Sequence, residues 1–291
     1  MRRFLILLVG FGCMILTGSP ALRADDSKDP ATDPLAKAQR AKAEALWQNL
    51  VPTGKPLNYV DSPNFCLVGT GDLKSLTALG KAAERALQQI GKTLKYTPAD
   101  DGWDGKLYVH VCDTREQFRS IHDQVFHRRP NREETAAYRH EGNLTFIILG
   151  PPESGKRKVP LEHDLVQQLA IASLTRKCLS VPAWFAMGYG RAACIRHDPR
   201  SFLQERRQAA LLLAQGKKIE DACADDGSME QVVLAGSLLD FLAHAPVMAK
   251  FWPAILEKLT TDQSFLEVLT DAKCPPEQVW AAWRTWAQRP S

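Results

Sequence analysis

The chain has 291 residues, 45% of them hydrophobic, and a formal net charge of +4; that is enough to bury one large core or two modest ones. Three of the arginines, Arg2, Arg3 and Arg23, belong to an N-terminal leader, and the 267 residues after it carry a formal charge of only +1. So near-neutral a chain gives no argument for nucleic acid, and HRRPNRE (127–133) reads as a solvated loop rather than a phosphate patch.

The leader, residues 1–24, joins a cationic MRR to the apolar run FLILLVGFGCMIL and the small-residue exit TGSPALRA. This is the layout of a secretory signal peptide, cleaved after Ala24 or Ala21. The apolar run falls short of the ~20 residues that a membrane span needs. The mature chain is therefore expected to be exported, to the periplasm or the extracellular space, with no membrane span. Residues 25–56 combine an acidic, proline-containing stretch expected to be disordered with a leading helix, PLAKAQRAKAEALWQNL.

Residues 57–159 alternate strands with helices. LNYVDSPNFCLVGTG reads as extended, and Leu73, Leu76, Leu79, Ala83, Leu87 and Ile90 recur at helical spacing behind an Asp72 cap. KLYVHVC is a strand and DTREQFRSIHDQVF a capped helix; TAAYRHEGNLTFIILG folds back as a hairpin at Glu141-Gly142-Asn143. From 160 to 291 every periodic segment is helical. The expected fold is α+β: a small mixed or antiparallel sheet of three to four strands on helices, then an all-helical half. Trp280, Trp283 and Trp286, three residues apart, form a face docked on the core. Six cysteines follow the leader, an even number that an exported chain can oxidise, but no spacing singles out a pairing.

The chemistry turns on LEHDLVQQLAIASL, residues 161–174. In zinc peptidases of the helical type, His-Glu-x-x-His places two imidazoles one turn apart on zinc, with the glutamate activating the bound water. Here His163 and Asp164 stand at the first two positions, and Gln167 stands where the second histidine belongs. Read alone, HDLVQ is an ordinary helix start carrying one hydrogen-bonded histidine. Nothing else carries hydrolytic chemistry: Ser180 and Ser201 have no nucleophile motif around them, and GTGD at Gly69 is a loop.

Nineteen residues after His163 begins PAWFAMGYGRAA, residues 182–193. This resembles the P-x-W-x-x-E-G-x-A-E second helix of the bacterial peptidase-MA-like (gluzincin) proteins, secreted members of the His-Glu-x-x-His zinc metallopeptidase superfamily. SPNFCLVGT resembles their first strand, TFIILGPP the edge strand leading to the active-site helix, and VWAAWRTWAQ their closing segment; the resemblance spans 57–288. It implies one zincin-like peptidase domain with a degenerate zinc site. At the third ligand position stands Met187, and Arg191 follows one turn on. Of the vestigial ligand positions His163, Gln167 and Met187, only His163 keeps a ligand of the right kind, and Asp164 is shorter than the family's catalytic glutamate.

The resemblance therefore implies an exported pseudo-metallopeptidase with no cofactor, no catalytic residue and no metal site. It would act as a binding or scaffold domain for an extended peptide or an envelope protein, with the groove beside residues 144–149. One alternative is a zinc-dependent peptide hydrolase with a non-standard site built on His163, drawing on His197, Asp198 or His140. Another is a structural secreted domain without a ligand.

Overall fold

The computed structural model describes residues 34–48, 57–96, 106–141, 144–155, 160–178 and 180–288. The leader, the acidic segment to residue 33 and the hairpin turn at 142–143, with Asn143, lie outside the described residues. The first half is an open sheet of five strands, β1 (Asn58–Asp61), β2 (Phe65–Gly69), β3 (Leu107–Val111), β4 (Ala136–Glu141) and β5 (Leu144–Leu149). The spatial order is β1-β2-β3-β5-β4, parallel in the middle and antiparallel at both margins.

Five strands replace the three to four expected. The extra one arises because LNYVDSPNFCLVGTG is two strands, reversed at 62–64. Glu84 holds that reversal, accepting from the Ser62 hydroxyl (2.6 Å), the Asn64 amide (2.9 Å) and the Asn64 side chain (2.7 Å). Periodicity alone does not reveal such a fold-back, because no Asn-Gly or Gly-Gly turn marks it.

Two helices occupy the first half's crossovers. In α2 (Leu73–Leu94), Asp72 accepts from the Ser75 amide at 2.8 Å. In α3 (Arg115–Phe126), Thr114 and Gln117 form a reciprocal capping box. The parallel strands are buried on both faces, as such strands must be. Phe65, Leu67, Val109, Ile147 and Leu149 face α2 and the helical half; Val68, Cys112 and Ile148 face Phe118, Ile121 and Val125 of α3.

The second half is helical, as the sequence predicts: α4 (Leu161–Lys177), α5 (Ala183–His197), α6 (Leu203–Ala214), α7 (Ile219–Cys223), α8 (Met229–His244), α9 (Trp252–Lys258), α10 (Phe265–Asp271) and α11 (Pro276–Ala287). The chain is α+β. The apolar core under the sheet runs on without a break between α4, α5, α8 and α11. Helix α5 lies in the middle, and two glycines let its neighbours approach. A Cβ on Gly190 would stand 2.9 Å from Gln167 Cγ on α4, and one on Gly188 would stand 3.0 Å from the Ala235 backbone on α8.

Among the described residues, no helix is long and apolar enough to cross a membrane. Cys66, Cys112, Cys178, Cys194, Cys223 and Cys274 are all free thiols. Burial pushes Cys66 and Cys194 each up to about 12, so neither is a nucleophile at neutral pH.

Candidate functional site

Helices α4 and α5 run antiparallel, so the start of one meets the end of the other. There, two adjacent residues of α4 pair crosswise with two adjacent residues at the end of α5. The His163 Nε2 donates to Asp198 Oδ2 at 3.1 Å, and Glu162 pairs with His197 and, at 3.7 Å, with Arg85 of α2. Asp198 caps α5 and also accepts from the Ser201 hydroxyl (2.5 Å) and amide (3.3 Å). The Ser201 bonds first, and then the His163 imidazole, hold the Asp198 carboxyl below its ordinary value.

Facing a carboxylate, His163 keeps its hydrogen on Nε2. Its Nδ1 is buried and has no hydrogen-bond partner among the described residues. The ring is 5% exposed and packs 5.1 Å from Phe202, and the Cys194 thiol donates to the His163 carbonyl at 3.2 Å. A carboxylate-oriented imidazole with a bare nitrogen has the form of a general base. This one is walled in by Phe202, where neither water nor a scissile bond reaches it.

The other vestigial positions do not gather around it. Gln167 lies under Gly190 at the helix crossing. Met187 is 44% exposed at the surface, so it does not fill the site. The Arg191 guanidinium lies 4.5 Å over the Phe202 ring and is neutralised by Glu205, with Nε to Oε2 at 2.8 Å. Asp164 is buried beside His163 on α4. Of the possible substitute ligands, Asp198 does reach His163, His197 is taken by Glu162, and His140 bonds Thr145 (2.6 Å) on the distant hairpin. Among the described residues no three His, Cys, Asp or Glu side chains converge as a cation site.

The sheet margin differs from expectation. Strand β5 (144–149) lies inside the sheet between β3 and β4, so it is not the edge strand and has no groove of its own. The margin is β4. A groove of about 450 Å³ straddles it, bounded by Tyr138, Arg139 and His140 of the strand, Phe126 of α3, and Thr175 and Arg176 of α4. Pairing order, which depends on contacts far apart in sequence, decides which hairpin strand is outermost; the hydrophobic pattern of the two strands does not.

Two sites escaped sequence reasoning. Glu134, in the loop after α3, accepts from Arg128 (2.7 and 3.0 Å), the Asn131 amide (2.9 Å) and His122 Nε2 (3.2 Å). Burial alone would raise its carboxyl, but Arg128, the Asn131 amide and His122 outweigh it and hold it at about 2. Arg115 pins the same loop, donating to the Glu134 carbonyl (2.5 Å) and the Pro151 carbonyl (3.2 Å). The loop HRRPNRE is exposed, as its composition implies, but its path is fixed. The second is His110, at the centre of β3 and 0% exposed, which burial pushes down to about 4.

No protein-family model matches the chain, and no functionally characterised protein matches its sequence.

Proposed function

We propose that this protein is an exported, metallopeptidase-like domain without catalysis, which binds peptides in extended form along the β4 margin. The observation that supports it most is the fate of the vestigial positions. His163 is committed to Asp198 behind Phe202, Gln167 is under a helix crossing, and Met187 faces solvent. A helix pair that once presented zinc ligands would, on this reading, have been rebuilt as a packing contact. What remains usable is the groove at β4, where strand addition needs backbone hydrogen bonds and no metal. The peptidase-MA-like ancestry, the export and the absence of zinc are parts of this proposal.

The bare Nδ1 of His163 favours one second reading, a peptide hydrolase with a zinc site completed from outside the described residues. Incubating the mature protein with a mixed peptide library, with and without added zinc, separates the two. The expected result is that all peptides are recovered intact by mass spectrometry while a subset is retained on the protein. Zinc-stimulated cleavage that disappears in His163→Ala would establish the hydrolase instead.

A further inference from the structure

We propose that the β4 groove selects extended peptides carrying acidic side chains; this rests on the peptide-binding reading above and adds a specificity to it. Two features of the strand lead there.

The first is its hydrogen-bonding register. The Gly150 amide donates to the Thr135 carbonyl at 2.9 Å, which marks that opposed pair as hydrogen-bonded. In an antiparallel ladder such pairs alternate. Residues 137 and 139 therefore bond inward to β5, while the N–H and C=O groups of Ala136, Tyr138 and His140 point out to the margin. Among the described residues β4 pairs with β5 alone. Three alternate residues thus present donors and acceptors in the spacing that another strand matches.

The second is charge. Successive side chains of β4 leave on opposite faces. The Tyr138 hydroxyl bonds Thr175 of α4 at 3.2 Å, so Tyr138 and His140 lie on the α4 face, where Arg176 also lines the groove. Arg139 leaves on the other face with Phe126. Arg139 forms no ion pair among the described residues, and its cross-strand neighbour is the apolar Phe146. The described wall of the groove holds two arginines and a histidine but no carboxylate. A strand added at the margin alternates its side chains between these two faces, so an acidic residue on either face meets a guanidinium. Arginine suits that role because its planar fork bonds a carboxylate at two points.

The test uses three blocked heptapeptides: acetyl-Thr-Val-Glu-Val-Glu-Val-Thr-amide, its glutamine counterpart and its lysine counterpart. Binding to the whole mature protein is followed by calorimetry at low salt. The glutamate peptide is expected to bind about tenfold tighter than the glutamine one, the return on one well-placed charge-assisted contact, and the lysine peptide more weakly than either. Arg139→Glu should invert that order. Ala136→Pro removes one outward N–H without touching the bonds to β5, a position where an edge strand tolerates proline, and should weaken all three peptides. If the three bind equally and Ala136→Pro still weakens them, the charge selection is wrong and the peptide-binding reading survives. If none binds, or Ala136→Pro changes nothing in a protein that Arg139→Glu shows to be folded, the peptide-binding reading fails as well.

Discussion

Trp283→Ala is expected to lower the unfolding free energy by about 3–5 kcal/mol, the range for deleting a fully buried aromatic side chain. Trp283 is 0% exposed at the centre of α11, in the continuous core, and its Nε1 donates to the Ser237 hydroxyl of α8 at 3.1 Å. Alanine leaves a large cavity between α11 and α8 and removes the partner of that hydroxyl. Trp280 and Trp286 are only half-buried, one bonded to the Lys217 carbonyl (3.0 Å) and the other packed on Phe241 (6.1 Å). Urea denaturation of the three alanine variants checks the ranking: Trp283 should stand well apart. Equal losses for all three would mean that α11 does not dock through a single buried tryptophan.

The second large effect is an acid sensitivity set by His110. The residue sits on β3 with Val68 and Ile148 beside it on the neighbouring strands and its ring 5.8 Å from Phe146. Burial lowers it from 6.5 to about 4. A histidine depressed in the folded state leaves the fold at full stability above the unfolded value, and stability is lost below it as protons bind the unfolded chain first. Between pH 6.5 and pH 4 the fold should therefore lose about 3 kcal/mol through this residue, at ~1.4 kcal/mol for each pH unit between the two values. Glu134 acts lower, because its stabilisation holds above its ordinary value of 4.5 and fades as pH falls toward 2. His110→Leu, close in volume, removes the first contribution alone. Its stability should fall less than the parent's across pH 6.5–4, and parallel pH profiles for the two proteins would contradict the assignment.

How much of this was legible in the sequence depends on how far apart the deciding residues lie. The caps at Asp72 and Thr114 act within three residues, so the helices they start are readable. The hairpin 136–149 is bounded by two residues of turn, and the tryptophan spacing in α11 is one helical turn; both are local patterns. The fold-back at 62–64 depends on Glu84, twenty residues on, so the local pattern alone reads as one extended segment. The outer position of β4 follows from β5 pairing with β3, and neither strand's own sequence encodes it. At the candidate site, His163 and Gln167 were visible as motif positions. Their partners were not: Asp198 lies 35 residues away, and Gly190 meets Gln167 only because two helices cross there. His110 sits in an unbroken run of apolar strand residues, where nothing local announces a buried, neutral imidazole.

Whether the helix bearing His163 still holds zinc is decided most directly by isothermal titration of the mature protein with the metal, alongside His163→Ala. We expect no stoichiometric binding in the parent and an unchanged trace in the variant, because His163 is engaged by Asp198 and no second and third ligand converge with it among the described residues. One equivalent of zinc bound by the parent and lost in His163→Ala would overturn the reading of this site as a packing contact.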